Sequence, residues 1–148
     1  MEVRSKNYTY RTSVAWSGEK RGVVACEGKP DLAVATPPEF KGHPGIWSPE
    51  DLFVTAVNSC VMTTFIAMAE RASLVFTNYR SEVEGTLEKG EAGFSFTRVV
   101  VRPRIGIGKA EDREKVLELI EKAEHACLIS NSIKATVTIE PEIEIVVV

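Results

Sequence analysis

The sequence predicts a single α+β domain spanning residues 1–148. Strand-like segments fill the first third and the end of the chain, and two stretches with helical features interrupt them. No internal repeat, low-complexity tract or change of composition marks a linker. With 44% hydrophobic and 26% charged residues, the composition is typical of one soluble globular domain.

Charge and cysteine content exclude several classes of function. The chain carries 18 Lys+Arg against 21 Asp+Glu, a formal net charge of -3, and has no block of basic residues. Nucleic acid is therefore not an expected partner. Three cysteines are odd in number and too few for a secreted disulfide framework. The opening MEVRSKNYTY lacks the apolar run of a signal peptide, so we expect a cytoplasmic protein.

The first third of the chain is predicted to form strands. Residues 3–16, 22–26 and 32–35 are rich in β-forming residues and are separated by glycine and proline. Residues 36–47 then contain three prolines and two glycines. Such a density of turn-forming residues predicts a loop.

The clearest local signal is a helix start at residues 48–51. Ser48 is the expected N-cap, Pro49 takes the first helical position, and Asp51 completes an approximate capping box. The following residues 52–69 carry no charge, which approaches the length of a membrane span. Polar residues interrupt the stretch and strands flank it, so we expect no membrane span. A helix apolar nearly all round is instead typically buried on every side. A domain this small has difficulty covering such a helix alone, so we expect a homodimer in which a partner subunit completes the cover.

The second half predicts a hairpin, a helix and a final strand. Residues 75–87 and 94–105 are strand-like on either side of the turn sequence KGEAG. Residues 111–126 predict an amphipathic helix, because apolar side chains recur at i, i+4, i+7 and i+11. These apolar positions are Val116, Ile120, Ala123 and Cys127. Residues 135–147 predict a strand that Pro141 should bend or place at an edge.

Two cysteines project from apolar helix faces, Cys60 from the first helix and Cys127 from the end of the second. Two interpretations of them are open. A free cysteine on such a face is commonly a small hydrophobic core residue. Alternatively, the two thiols form a redox pair in which one attacks and the other resolves. Their spacing establishes no contact, and Cys26, in a strand-like segment, is expected to be structural.

The sequence gives little support for a metal site, a phosphate-binding loop or a hydrolase triad. His125 and Cys127 point about 200° apart on a helix, and His43 is alone in a loop, so we expect no metal site. The sequence has no glycine-rich phosphate loop and no convincing histidine for a hydrolase triad. We therefore expect no metal and no organic cofactor.

A reactive thiolate in an apolar pocket requires nearby positive charge. The helix start at Glu50 lies about 15 Å from Cys60 along the helix axis, so the helix dipole is too distant to activate the thiol. An arginine from an early strand, or from a partner subunit, is needed instead. The candidates are Arg11 and Arg21.

Several motifs carry a family resemblance. They are SPEDLF at residues 48–53, NSCVM at 58–62 and ACLISN at 126–131, supported by WSGEKRG at 16–22 and AGF at 92–94. Together they resemble the OsmC/Ohr family, named after osmotically inducible protein C and organic hydroperoxide resistance protein. The similarity runs in order along essentially the whole chain.

The resemblance implies a thiol-dependent peroxidase that reduces organic hydroperoxides to alcohols without a cofactor. It also implies an intertwined homodimer in which central long helices are wrapped by antiparallel sheets. The family's peroxidatic cysteine falls on Cys60, its resolving cysteine on Cys127, its acidic partner on Glu50 and its activating arginine on Arg21. One departure is Leu128, because the family usually has proline directly after its second cysteine.

With this resemblance, the redox pair becomes the favoured interpretation. Arg21, held by Glu50, would lower the pKa of Cys60, which attacks the hydroperoxide and becomes a sulfenic acid. Cys127 would then form a disulfide that an external dithiol reduces. Two alternatives use the same fold. One is a dimer that binds a hydrophobic small molecule with inert cysteines, and the other is a slowly turning thiol redox sensor.

Overall fold

The computed structural model describes residues 6–146. The chain divides into two compact units, one ending at Leu52 and the other beginning at Phe53. The chain contains both strands and helices, which confirms the expected α+β class. Parts of two predicted strands, residues 3–5 and residue 147, lie outside the described residues.

The first unit is built on a three-stranded antiparallel sheet. Its strands, in spatial order, are β1 (Ser13–Gly18), β2 (Arg21–Ala25) and β3 (Leu32–Ala35). The prediction of a strand over residues 3–16 was wrong for residues 6–12, which form no described strand. The physical reason is the length of the neighbouring strand, since pairing begins at Ser13 opposite Ala25, where β2 ends.

The loop predicted at residues 36–47 is confirmed, with one short 3-10 turn at Pro38–Phe40. Gly42 is required here, because a Cβ atom at this position would collide with the carbonyl group of Thr36. The ammonium group of Lys20 donates to the carbonyl oxygens of Phe40 and Lys41, at 3.3 Å and 3.0 Å. These contacts hold the loop against the start of β2.

The first helix, α1 (Pro49–Arg71), begins where the sequence predicts. The Asp51 N–H donates to the Ser48 hydroxyl at 3.1 Å, and the Ser48 N–H donates to the Asp51 carboxylate at 2.9 Å. This reciprocal pair is a capping box that satisfies two backbone donors at the helix start. The helix therefore begins at a fixed residue, which sets the rotational position of every side chain along it.

The second unit contains a long hairpin, a helix and two short strands. These elements are β4 (Asn78–Gly90), β5 (Gly93–Ile107), α2 (Arg113–Ala126), β6 (Thr136–Ile139) and β7 (Glu142–Ile145). The hairpin is confirmed, with Gly90 paired to Gly93 across the turn. The interruption at Pro141 is confirmed as well, because the predicted last strand is divided there into β6 and β7.

The sheets are not antiparallel throughout, so that part of the expected architecture was wrong. The sheet of the first unit and the β4–β5 pair are antiparallel, but β6 and β7 both run parallel to β5. The helix α2 connects β5 to β6. A strand reached through a crossover helix returns in the direction of the strand before it, which accounts for the parallel pairing.

The core of the second unit joins one stripe from each helix to the inner face of β5. Every predicted apolar position of α2 is buried, and Cys127 at its end is 0% exposed. The helix α1 buries a stripe of four residues, namely Val57, Val61, Phe65 and Ala69. Gly85 of β4 allows α1 to approach closely, since a Cβ atom there would collide with Val54.

The other faces of α1 are not covered within one chain. Only 22% of its most apolar 18-residue window is buried, whereas the sequence predicts a helix buried on every side. By length and composition α1 could also cross a membrane, and it is the one described helix that passes this test. Core helices of soluble proteins have the same length and composition, so this property alone assigns no membrane role.

Candidate functional site

The structure brings Cys60 and Cys127 together. Cys60 lies in the middle of α1 and is partly buried. It directly precedes Val61, which belongs to the buried stripe of the helix. Cys127 is the C-cap of α2 and is buried in the same core. The two thiols are close enough for each to shift the pKa of the other, and neither cysteine is in a disulfide. The two apolar helix stripes found in the sequence therefore meet at a pair of reduced thiols.

The end of α2 determines where Cys127 lies. Its backbone leaves the helical conformation, with φ -64° and ψ 115°, and its N–H retains only a long contact of 3.4 Å with the Glu124 carbonyl. The chain then makes a compact turn in which the Asn131 N–H donates to the Cys127 carbonyl at 3.0 Å. This turn keeps the residues that follow Cys127 close to the end of α2.

The surroundings of Cys60 favour its thiolate. Burial alone would raise the pKa of Cys60, but hydrogen bonds from the Ile129 N–H and the Cys127 thiol, with smaller contributions from Thr64 and the Leu128 N–H, lower it below its ordinary value. The Thr64 hydroxyl lies 4.0 Å from the sulfur. Donors that point at a sulfur stabilise its charged form more than its neutral form. No arginine is needed among these contacts to make Cys60 the more acidic thiol.

The surroundings of Cys127 have the opposite effect. Burial raises the pKa of Cys127, and the nearby Cys60 raises it further, whereas hydrogen bonds from Ser130 lower it only in part. The Ser130 N–H donates to the Cys127 sulfur at 3.5 Å. One proton shared between the two sulfurs therefore stays on Cys127. Of the two thiols, Cys60 is therefore the more acidic.

The predicted activating arginine lies in the first unit. Arg21 begins β2, and its guanidinium group contacts the Glu19 carboxylate at 3.3 Å. The Glu19 carboxylate also contacts the His43 ring at 3.4 Å. Among the described residues, no ion pair joins Arg21 to Glu50. The structure of one chain thus gives Arg21 an acidic neighbour that the sequence did not suggest.

Glu50, the predicted acidic partner, is in the first turn of α1. Its carboxylate oxygen Oε2 is buried and has no hydrogen-bond partner among the described residues. A buried carboxylate oxygen without a donor is costly. A cationic group from another chain, or a water molecule, would therefore stabilise this carboxylate.

Cys26 makes a different kind of contact from the other two cysteines. Its thiol lies 3.7 Å from the Arg11 carbonyl oxygen, within the first unit. This weak hydrogen bond agrees with a structural role for Cys26, and it uses the backbone of Arg11 rather than its charge. In the described part of the chain, no cluster of three or more metal-ligating side chains occurs.

The hydrogen-bond donors around the two sulfurs were not predicted from the sequence. Thr64 was visible as the residue one helical turn after Cys60, which places a hydroxyl on the same face. Ser130 and the N–H groups of Leu128 and Ile129 gave no signal, because a backbone donor is common to every residue except proline. The single hint was Leu128, which stands where the family usually has proline.

Comparison with known proteins agrees with this fold. The family described as OsmC-like protein matches residues 42–142. The uncharacterised protein YmaD of Bacillus subtilis is 26% identical over 131 residues, 86% of this chain and 87% of that protein. The peroxiredoxin OsmC of Escherichia coli is 25% identical over 105 residues, 71% of this chain and 72% of that protein.

A solved structure supports the fold. The organic hydroperoxide resistance protein OsmC of Legionella pneumophila superimposes with a TM-score of 0.73 at 24% identity, over 95% of this chain and 100% of that one. The fold and the matched residues agree with the resemblance found in the sequence. The chain belongs to the OsmC-like protein family.

Proposed function

We propose that this protein is a cysteine-based peroxidase that reduces organic hydroperoxides to alcohols. The observation that carries the proposal is the contact between two reduced thiols whose pKa values shift in opposite directions. A lowered pKa provides the nucleophile at Cys60, and a raised pKa keeps Cys127 protonated until it is needed. The substrate class is supported by relatives that are called peroxiredoxin or organic hydroperoxide resistance protein.

The reaction has three balanced steps. The Cys60 thiolate attacks the outer peroxide oxygen, the O–O bond breaks, and the alkoxide takes up a proton and leaves as an alcohol. The Cys127 sulfur then attacks the Cys60 sulfenic acid, which forms a disulfide and releases water. An external dithiol reduces the disulfide by exchange and restores both thiols. No step needs a metal or an organic cofactor.

Apolar side chains near the thiols support an organic rather than an inorganic peroxide. Leu128 and Ile129, whose backbone contacts Cys60, have side chains that are 76% and 36% exposed. An alkyl group bound against these side chains would lose its contact with water. This burial stabilises the complex by about 25 cal/mol per Å² of apolar surface. Val57 and Phe65, two apolar residues of α1, are fully buried in the core and have no surface to offer an alkyl group.

The peroxidase proposal is tested by the mass of the protein after one equivalent of cumene hydroperoxide. We expect the loss of two hydrogens, mapped by non-reducing digestion to Cys60 and Cys127. Rapid steady-state turnover with dithiothreitol would distinguish the enzyme from a redox sensor with the same disulfide. Unchanged mass, together with alkylation of Cys60 no faster than that of free cysteine, would establish the ligand-binding alternative instead.

We propose further that the protein is a homodimer. The uncovered faces of α1 and the exposed apolar side chains of the first unit, such as Val14 and Trp16 at 68% and 79% exposure, are more apolar surface than a monomer usually presents. A second copy of the chain would bury both. We expect light scattering to give the mass of a dimer at micromolar concentration, and an unfolding midpoint that rises with protein concentration. A stable, folded monomer would contradict this proposal.

The proposed role of Arg21 and Glu50 depends on formation of the dimer. We propose that Arg21, from the same chain or its partner, pairs with Glu50 in the dimer and orients the peroxide at Cys60. The support is the unpartnered carboxylate oxygen of Glu50. The pair with Glu19 is mostly exposed, and such pairs are weak enough to be exchanged.

Replacing Arg21 tests this role. Arg21→Ala should slow the reaction of Cys60 with hydroperoxide about tenfold at neutral pH, because a charge that favours the thiolate and the leaving alkoxide is lost. Part of the rate should return at higher pH as the thiolate is formed. The measurement is a pH–rate profile under single turnover, and Arg11→Ala is the matched control. Superimposable profiles for Arg21→Ala and the parent would remove Arg21 from the site.

A further inference from the structure

Cys127 begins a short turn that returns a donor to its own sulfur. The backbone of Cys127 is extended, at φ -64° and ψ 115°, whereas Ile129 is helical, at φ -68° and ψ -46°. The Cys127 carbonyl accepts from the Asn131 N–H at 3.0 Å, and the Cys127 sulfur accepts from the Ser130 N–H at 3.5 Å. This is the pattern of a capping residue, with sulfur in place of the usual side-chain oxygen.

Two other side chains hold this turn without using the sulfur. The Asn131 side-chain amide donates to the His125 carbonyl at 3.0 Å. The Ser132 hydroxyl donates to the Leu128 carbonyl at 2.7 Å. Because these contacts are made to backbone carbonyls, they are independent of the protonation state of the thiol. The turn therefore keeps the Ser130 N–H at the sulfur when the sulfur changes its charge.

Ser130 also brings a hydroxyl group to the same sulfur. The Ser130 hydroxyl oxygen is buried and has no hydrogen bond of normal geometry among the described residues. It is nevertheless near enough to lower the pKa of Cys127 together with the N–H. The side chain of serine has three staggered positions, so rotation about one bond can direct the O–H at the sulfur. A buried hydroxyl without a partner is costly in the resting protein, and a charged sulfur would supply the missing acceptor.

We propose that Ser130 is a catalytic residue of the resolving step, whose N–H and hydroxyl both donate to the Cys127 sulfur as it attacks the Cys60 sulfenic acid. This inference rests on the proposed peroxidase function for the sulfenic acid. The step forms the S–S bond and breaks the S–O bond, and the proton of Cys127 leaves with the sulfenic hydroxyl as water. Hydrogen bonds to a charged acceptor are stronger than those between neutral groups. Ser130 therefore stabilises the attacking sulfur, which has thiolate character, more than the resting thiol.

The surroundings of Cys127 predict how the resolving step depends on pH. The titratable group that faces Cys127 from α1 is Cys60, and the contacts from the turn come from Ser130. The buried core that contains Cys127 is otherwise built from apolar side chains. Loss of the Ser130 hydroxyl should therefore raise the pKa of Cys127 further. The disulfide should then form more slowly at neutral pH, and its rate should recover as the pH rises and Cys127 ionises.

Ser130→Ala tests the proposal, because it removes the hydroxyl and keeps the N–H. Ser132→Ala is the matched control, since it removes a hydroxyl of the same turn that donates to a backbone carbonyl. In a Cys26→Ser background, the aromatic disulfide dithiobis(nitrobenzoate) should form a mixed disulfide with Cys60 and release one equivalent of coloured thiol. Attack by Cys127 on the Cys60 sulfur then releases the second equivalent.

We expect the second phase of colour release to be about tenfold slower at neutral pH in Ser130→Ala, and to approach the parent rate at higher pH. It should stay within about twofold of the parent in Ser132→Ala. Equal second phases in Ser130→Ala and the parent would overturn the proposal, as would equal slowing in Ser132→Ala. A parent protein without a second phase would also overturn it, because Cys127 would then not attack a modified Cys60.

The thermal midpoint of the reduced protein adds a second criterion. Because the Ser130 hydroxyl has no partner of normal geometry in the reduced state, Ser130→Ala should not lower the midpoint. A marked fall, or failure to fold, would give the hydroxyl a structural role and overturn the proposal. The aromatic disulfide contains no peroxide, so a slowed second phase without oxidation of Cys60 by cumene hydroperoxide would retain Ser130 as the group that activates Cys127 and refute the peroxidase. Normal peroxidase turnover with an unaffected second phase would do the reverse.

Discussion

Cys60→Ser is expected to abolish hydroperoxide reduction while the fold remains intact. A serine hydroxyl is not ionised at neutral pH and is a poor nucleophile towards peroxide oxygen. The donors that lower the pKa of Cys60 are far too weak to ionise a serine hydroxyl. We expect turnover of cumene hydroperoxide with dithiothreitol to fall at least about a thousandfold, to the rate of the uncatalysed reaction.

The control for this prediction is the third cysteine. Cys26→Ser removes a thiol whose recorded contact is a weak hydrogen bond to the Arg11 carbonyl, and it should leave turnover within about twofold of the parent. Circular dichroism and the thermal midpoint establish that both variants fold. Residual activity in Cys60→Ser, combined with loss of activity in Cys26→Ser, would move the nucleophile to Cys26 and refute the site described here.

Local signals predicted the positions of the helices and strands well. The capping box at Ser48 and Asp51 placed the start of α1 at the correct residue, because capping depends on the types of neighbouring residues alone. The apolar period of α2 likewise identified its buried face, including Cys127. Such features follow from short-range chemistry that a single sequence contains.

Features that depend on distant neighbours were harder to predict. The first strand is shorter than its β-forming residues suggest, because strand length is set by the strand that it pairs with, β2. The parallel pairing of β6 and β7 with β5 depends on the path of the chain through α2. Neither the pairing partner nor the crossover is encoded in the pattern of one segment.

The same difference between local and distant features applies to the site. Periodicity placed Cys60 and Cys127 on apolar stripes, and the family resemblance implied which of them attacks, but neither could identify the groups that make the two pKa values differ. That difference depends on which sulfur receives donors from the turn after Cys127. Backbone donors are set by φ and ψ rather than by residue type. The roles of Leu128, Ile129 and Ser130 were therefore visible only in three dimensions.

Cys127→Ser is expected to stop the catalytic cycle after its first step. Attack on the peroxide needs only the Cys60 thiolate, whereas regeneration by the proposed route needs the second sulfur. The variant should release one equivalent of alcohol, lose most of its turnover with dithiothreitol, and accumulate a Cys60 sulfenic acid. Dimedone, which labels sulfenic acids, should add to Cys60 in this variant after one equivalent of cumene hydroperoxide, and hardly at all in the parent.

Comparison with Cys127→Ala separates the two roles of this residue. Cys127 contributes to the lowered pKa of Cys60, and a serine hydroxyl in the same buried position would still offer a hydrogen-bond donor, whereas alanine would not. The first step should therefore keep about the parent rate in Cys127→Ser and be about threefold to tenfold slower in Cys127→Ala at neutral pH. Both variants should accumulate the sulfenic acid. Normal turnover of either variant with dithiothreitol would show that Cys127 does not resolve the intermediate, because the dithiol would then reduce Cys60 directly.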